Sequence, residues 1–400
     1  EGYKIFRMDD LKNGFAFDNE MKFAPIDSET FEKFRLKPDD ILFNRVNSEE
    51  FVGRTGIFKL TGNYVFASYL VRLRTNSGMS PDALNLFLNC KYGVLSIRRL
   101  SRRAVNQANV NAQELQSIPM PRFSSAFQEI LASASNKSWT LYAESERLYK
   151  KAEQLLLSEL GLRDWNPTHT LTFVRSYSQA AQAGRMDAEH YHPKYDELRE
   201  RIRQYPNGFL RITDIAANSD ETVEPTAHAE DDYRYIELAD INQVIGTIES
   251  ANEIKGKDAP SRARMLLRSG DVIASTVEGS LDKVALVSEE YHGAIGSTGF
   301  FVLRPRTVQS GYLLALVKSI IVREQMRCES SGTILAAVPA KSLRNIIVPN
   351  IPPEKRDEIS QLVEKSHAAR REAKALLEKA KRAVEIAIEE NEERAMEFIG

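Results

Sequence analysis

Two early stretches carry side chains suited to gripping a polyanion and reading it. Arg98, Arg99, Arg102 and Arg103 crowd into Arg98-Arg99-Leu100-Ser101-Arg102-Arg103-Ala104-Val105-Asn106-Gln107, which ends on Asn106 and Gln107. Asn44, Arg45, Asn47 and Arg54 follow the apolar run Ile41-Leu42-Phe43. Arginine forks suit phosphate oxygens and the guanine edge, while asparagine and glutamine suit the adenine edge. The later half offers a second set: Ser275, Thr276 and Lys283 after Val272-Ile273-Ala274, then Ser331, Gly332 and Thr333, and the basic run Lys255, Lys257, Arg262 and Arg264. Gly332 suggests close backbone approach to a ligand.

Other chemistries find less support. There is no G-x-x-x-x-G-K-[ST] loop and no G-x-G-x-x-G opening a helix, which argues against a nucleotide-driven motor or a self-contained dinucleotide enzyme. Asn350-Ile351-Pro352-Pro353 only superficially matches the Asn/Asp-Pro-Pro-aromatic pattern of adenine methyltransferases. Asp240 with Glu253-Ile254-Lys255 has residue types that can hold Mg²⁺ and poise a water. Such triplets arise by chance, and Met21-Lys22-Phe23 stands at the corresponding place in an earlier repeat. His190 and His192 precede Pro193 with no cysteine nearby, and they read as an exposed pair at a helix start rather than a metal site. No catalytic residue and no metal ligand is assigned.

The elements that must hold these residues occur twice. Tyr3 to Leu11 aligns with Tyr233 to Ile241, Leu36 to Leu42 with Leu267 to Ile273, Val71 to Arg74 with Phe301 to Arg304, and Val110 to Pro121 with Val338 to Pro349. The offsets are 230, 231, 230 and 228. That period is far too long for a solenoid and indicates a duplicated domain. Two similar domains suggest a target with two similar halves.

A chain of 400 residues exceeds one ordinary core. The hydrophobic share of 42% and charged share of 28% fit a soluble globular protein. No apolar run approaches the roughly 20 residues of a membrane span, and no secretory signal pattern stands out. Cys90 and Cys328 fall at non-equivalent places in the repeats, so neither a disulfide framework nor a zinc cluster is indicated and a cytoplasmic location is expected. The net charge of −2 hides an asymmetry. Phe51 to Arg122 carries ten basic and two acidic residues, whereas Asp187 to Pro352 carries 19 basic and 24 acidic ones. The first excess favours a polyanion partner. The second implies either that the acids lie on a far face or that this domain contributes less affinity.

The pattern predicts mixed α/β domains, an α+β architecture with two long antiparallel helices. The first domain spans 1–122. Because it starts at the repeat match, roughly 40 residues of a normal domain are expected to be absent from it. A Pro-flanked strand is read at Ile118-Pro119-Met120-Pro121, and a long helix over 123–162. A polar linker covers 163–186, the second domain 187–352, and a second long helix 353–400. Asp187 to Arg203 reads as a short helix, and Leu84 to Leu95 and Tyr312 to Met326 as helices inside the domains. At about 1.5 Å per residue either long helix could reach roughly 50 Å. Trp139, Tyr142, Leu148 and Tyr149 could line a partner-binding seam or pack on the C-terminal helix within the chain.

Together these features resemble the DNA-specificity subunit of type I restriction–modification systems. The resemblance covers essentially the whole chain and rests on two recognition-type domains, each followed by a long helix. It also rests on Lys37-Pro38-Asp39-Asp40-Ile41-Leu42 and Arg268-Ser269-Gly270-Asp271-Val272-Ile273, on Gly53-Arg54-Thr55-Gly56 and Asp282-Lys283-Val284-Ala285, on Ser331-Gly332-Thr333 before Val338 to Pro349, and on Arg185 to Tyr195. It implies a non-catalytic subunit in which each target-recognition domain reads one half of a split sequence in double-stranded DNA. The helices would set the spacing and dock methyltransferase subunits. No cofactor is expected on this chain: S-adenosylmethionine would sit on the adenine methyltransferase partner, and ATP and Mg²⁺ on a restriction subunit where one is present. A protein-interaction scaffold without DNA binding and a free-standing Mg²⁺-dependent nuclease are the alternatives.

Overall fold

The computed structural model describes all residues except Glu1, Glu20, Glu49, Glu50, Ser77, Val105, Asn106, Thr168, His169, Thr333 and Ile334, and the side chains of Asn47, Arg103, Ala104 and Gln107. The chain divides into two compact units, Glu1–Ala143 with Ala369–Gly400, and Glu144–Ala368. Among the described residues no helix is long and apolar enough to cross a membrane.

The first unit contains strands β1 (Tyr3–Phe6), β2 (Leu11–Lys12), β3 (Phe15–Ala16), β4 (Lys22–Ala24), β5 (Ile41–Asn44), β6 (Val46–Asn47), β7 (Thr55–Ile57), β8 (Tyr64–Phe66), β9 (Leu70–Leu73), β10 (Arg102–Ala104) and β11 (Gln107–Asn109). Helix α1 (Ser28–Phe34) precedes β5, while α2 (Pro81–Asn89) and α3 (Lys91–Leu100) follow β9. One sheet runs β2-β3-β7-β5-β9, with β5 buried along its whole length, and a second runs β4-β1-β8. The long helix α4 (Ser125–Glu159) follows.

The second unit repeats this plan. After α5 (Tyr177–Ala183) and α6 (Pro193–Arg203) come β12 (Phe209–Arg211), α7 (Ile212–Ile215), β13 (Ala216–Asn218), β14 (Asp232–Ile236), β15 (Ile241–Asn242), β16 (Thr247–Ile248), β17 (Asn252–Lys255), β18 (Ala263–Leu266), β19 (Val272–Ser275), β20 (Val284–Leu286), β21 (Ile295–Ser297) and β22 (Phe300–Pro305). Helices α8 (Ser310–Lys318) and α9 (Ile320–Glu329), strand β23 (Ile347–Pro349) and the long helix α10 (Pro353–Glu389) as far as Ala368 complete it. Its sheets run β15-β16-β20-β19-β22-β13 and β17-β14-β21-β18. Strand for strand this matches the first unit, with β13 and β18 added at the edges. The duplication read from the offsets is therefore a duplication of sheet topology.

The same turn feeds each central strand. The Lys37 amide donates to Asp40 Oδ2 and the Arg268 amide to Asp271 Oδ2, both at 2.9 Å. The residue before each aspartate is left-handed, φ 70° at Asp39 and 89° at Gly270. Glycine takes that conformation freely and aspartate is among the few other residues that tolerate it.

Several expectations need correction. Ile118 to Pro121 forms no strand, whereas its counterpart β23 pairs antiparallel with β12, Leu210 opposite Val348. A strand needs a partner for its backbone groups, and no described strand of the first unit corresponds to β12. The predicted inner helices are each broken in two, at Cys90 and at Ser319, where ψ is 168° and 163°. The apolar spacing continues across both breaks and hides them. The linker contains α5, capped by Ser176 and ended by left-handed Gly184. Asp187 to Arg203 is a helical turn at Glu189–Tyr191 followed by α6. The second long helix ends at Glu389, and α11 (Glu392–Ile399) restarts after Asn391, whose side chain accepts the Arg394 amide.

Along α4 the positions Phe127, Leu131, Ser135, Ser138, Tyr142, Ser145, Tyr149, Ala152 and Leu156 are all buried. On α10 so are Ile359, Val363, Ser366, Arg370, Ala373, Leu377, Ala380 and Val384. From Leu131 onward in α4, and throughout the α10 series, the steps alternate between four and three, the spacing of a heptad seam. In the first unit Ser138 Oγ donates to Ala373 O at 2.8 Å and the Arg370 guanidinium lies 4.4 Å from the Tyr142 ring centroid. In the second, Ser366 Oγ donates to Ser145 O at 2.7 Å and Lys355 Nζ meets Glu159 Oε1 at 2.6 Å. Within each unit the two helices therefore run antiparallel.

Candidate nucleic-acid interface

In each unit the loop that leaves the central strand is joined to the loop that leaves the second inner helix. In the first unit, β6 pairs antiparallel with β11, Val46 opposite Asn109, and β11 pairs with β10, Arg102 opposite Asn109. The Val110 amide adds a bond to Arg45 O at 2.9 Å. In the second unit Val277 bridges Ala337, and Ser331 bridges Ala337. The Glu278 amide donates to Ala336 O at 3.0 Å and the Val338 amide to Thr276 O at 2.8 Å. Residues 46 and 109 become 277 and 337 under the offsets of 231 and 228. The two clusters predicted in each domain thus form one surface feature per domain, a hairpin zipped to a neighbouring loop.

Within that feature the predicted residues divide by direction. Asn44 and Ser275, the last residues of β5 and β19, are fully buried. The Asn44 side-chain amide donates to Phe51 O at 3.1 Å, and Ser275 Oγ accepts the Val277 amide at 3.1 Å and lies 2.9 Å from Ser280 Oγ. Thr276 Oγ1 donates to Gly299 O at 3.0 Å and Lys283 Nζ to Ile241 O at 3.1 Å. Asn44 and Ser275, expected at a nucleic-acid surface, instead sit inside their loops with no exposed surface of their own. They sit at a strand end, where a polar residue can face either way.

Arg98 and Arg99 are exposed in the last turn of α3. Arg102 is exposed on β10 and pairs with Glu114. Arg45 is half-buried, and the Arg54 guanidinium stacks 4.0 Å over the Phe51 ring. Arg103 and Gln107 lie on β10 and β11, with Arg103 opposite Ala108, and Asn47 pairs with Ala108 on β6. The side chains of those three, with Asn106 and Thr333, lie outside the described residues. Ser331 and Gly332 are exposed at the start of the second hairpin, and Gly332 has φ 140° with its Cβ direction 2.7 Å from Leu335 O. Only glycine fits that position without strain.

The basic run of the second domain is held differently. Lys255 pairs with Asp232 at 2.9 Å, Lys257 with Glu230 at 3.2 Å, Arg262 with Glu237 at 3.1 Å and Arg264 with Glu224 at 2.7 Å. These four acids stand beside the cations rather than on a far face. Such exposed pairs are individually weak and exchange readily for a phosphate.

Two other candidates resolve as structure. Asp240 accepts the Glu237 amide at 2.9 Å and Ser250 Oγ at 2.7 Å, while its counterpart Asp10 accepts the Arg7 amide at 2.6 Å. His192 is buried rather than exposed and accepts the Lys194 amide at 3.2 Å, capping α6, while His190 Nδ1 lies 2.8 Å from Cys328 O. Of the expected partner seam, Tyr142 and Tyr149 are buried inside their own units. Tyr142 packs on Phe15 and Phe17, and Lys318 covers the Tyr149 ring at 4.8 Å. Trp139 and Leu148 are half-buried, with Trp139 against Phe15 and Phe17. Tyr142 lies against Arg370 of the C-terminal helix, as the second of the two readings has it.

The class the fold defines is a duplicated α+β domain, each copy followed by a long helix. No family model matches the chain. The curated relative found is a putative type I restriction enzyme MjaX specificity subunit of Methanocaldococcus jannaschii, 27% identical over 162 residues, which are 39% of this chain and 38% of that protein. Among solved structures, the HsdS subunit of Thermoanaerobacter tengcongensis is 30% identical over 46% of this chain and 47% of that one, with a TM-score of 0.36. The type I S subunit of M. genitalium is 12% identical over 96% of this chain and 91% of that one, with a TM-score of 0.39. The sequence similarity is thus to specificity subunits of type I restriction–modification systems, the family its residues resemble. The chain spans less than half the length of the first of these relatives.

Proposed function

We propose that this chain is a DNA-sequence-recognition subunit that reads a bipartite target and directs an associated adenine methyltransferase, and a restriction subunit where one is present, without catalysing a reaction itself. The observation that carries the reading is the zipped hairpin and loop found once in each domain, at equivalent positions but with different side chains. Two half-sites of different sequence call for that combination of common scaffold and divergent tips. Arg98, Arg99, Arg102 and Arg103 would supply salt-sensitive phosphate contacts in the first domain. Base edges would be read from the hairpins by Asn106 and Gln107 in one domain and by Ser331 and Thr333 in the other.

The test is selection from randomised duplexes with the methyltransferase partner present. A split motif is the expected result, and enrichment of no split motif counts against the proposal. The same experiment at rising salt separates it from a scaffold role, because DNA binding should weaken steeply.

A further inference from the structure

The segment from Arg185 to Arg199 lies outside both hairpins, and reading DNA gives it no task. It nevertheless holds the end of α9, the helix from which the second hairpin springs. That helix ends at Glu329, and the hairpin opens at Ser331. The last carbonyls of a helix lack intrahelical partners and carry partial negative charge.

Arg185 reaches three carbonyls at this exit. Its Nη1 donates to Cys328 O at 3.4 Å and Glu329 O at 3.2 Å, and its Nη2 to Ser330 O at 2.5 Å. Asp187 holds the guanidinium from its other edge, Nε to Oδ1 at 2.8 Å and Nη2 to Oδ2 at 2.6 Å. Tyr191 Oη donates to Arg185 O at 2.7 Å, fixing the backbone that carries the fork. His190 Nδ1 faces the same Cys328 carbonyl, and the Cys328 thiol donates back to His190 O at 3.3 Å. Arg199 meets Glu329 Oε1 at 3.4 Å. The guanidinium presents five donors in a fixed planar fork, whereas a lysine ammonium presents three from a single point.

We propose that Arg185 is a positioning residue for the second reading hairpin: locked by Asp187, it fixes how the chain leaves α9 and so where Ser331 and Gly332 are presented. The consequence for DNA rests on the function proposed above, whereas the clamp on the hairpin stands without it.

Amide hydrogen exchange of the full chain without DNA tests the clamp. The Ser331 and Ala337 amides bond to each other's carbonyls at 3.0 Å, so they report the hairpin directly. Arg185→Ala should speed their exchange about tenfold or more while β19 amides keep wild-type rates. Arg185→Lys should fall between the two. In duplex selection the same variants should relax base preference in one half-site, the one that Ser331→Ala also alters, and leave the other unchanged. Unchanged exchange at Ser331 and Ala337, or an equal rise across the whole domain, overturns the proposal. Should Arg185→Ala fail to fold, Asp187→Asn keeps the arginine and loosens its lock, and unchanged hairpin exchange there is equally fatal. If the wild-type chain selects no split motif, the DNA reading falls and exchange alone decides the clamp.

Discussion

Arg304 grips Asp271 with two nitrogens, Nε to Oδ1 at 2.9 Å and Nη2 to Oδ2 at 3.1 Å. Arg74 does the same to Asp40, at 2.5 and 3.0 Å. The two aspartates are equivalent under the repeat and nearly inaccessible, with side chains 2% and 3% exposed. Removing either arginine leaves a buried carboxylate with its backbone amide bond but without its counter-charge. Arg304→Ala should destabilise its unit by about 2–4 kcal/mol, below the full range for buried pairs because the arginine is partly hydrated. Arg74→Ala should cost less, since Arg74 is 48% exposed against 32% for Arg304. Urea unfolding of both variants checks the order.

Arg102→Ala should weaken DNA binding across all sequences and lower the salt slope by about 1. Gln107→Ala or Asn106→Ala should instead relax one half-site. Titration against salt, followed by selection, distinguishes them. Identical effects on both half-sites would undo the assignment.

The carboxylates beside Lys255, Arg262 and Arg264 should restrain non-specific binding. Replacing Asp232, Glu237 and Glu224 by their amides should raise affinity for arbitrary duplex. The salt slope should steepen by up to about 1 for each cation released. An unchanged slope would show that these cations face no phosphate.

Asp187 titrates with a sign that can be worked out. Its hydrogen bonds from Arg185 hold the carboxyl below the usual aspartate range. Its contribution is therefore complete above the unfolded value near about 4 and is lost as pH falls through the lowered folded value. The protection of the Ser331 and Ala337 amides, relative to their intrinsic exchange at each pH, should fall on acidification below about pH 4 in wild type. Asp187→Asn should remove that dependence.

Removing one heptad from both α4 and α10 keeps the alternation of buried positions. Under the proposed function it should shorten the tolerated spacer by about 3 base pairs, at about 1.5 Å per residue and 3.4 Å per base step. An unchanged spacer would show that the helices do not set it.

The duplication is legible in the sequence because the repeat sets Asp40 against Asp271 and Arg74 against Arg304, whereas the order of the strands in the sheets is not. The zipped loops were legible as equivalent clusters, although sequence could not show that they pair. What escaped had physical causes. Asn44 and Ser275 end buried strands, and residue type does not say which way such a side chain turns. Ile118 to Pro121 has the composition of a strand but no strand to join. Arg185 acts on Cys328 to Ser330 across more than a hundred residues, and no periodicity records a contact of that range.

Much of the heptad seam is serine and alanine: Ser135, Ser138, Ser145, Ala152, Ser366 and Ala373 all sit in it fully covered. Hydrogen bonds satisfy Ser138 and Ser366, but little hydrocarbon is removed from water there, and hydrocarbon is what drives helix association. A peptide pair cut from α4 and α10 should accordingly stay largely unfolded when mixed. Pairing of the helices is then expected to depend on their packing against the rest of each unit.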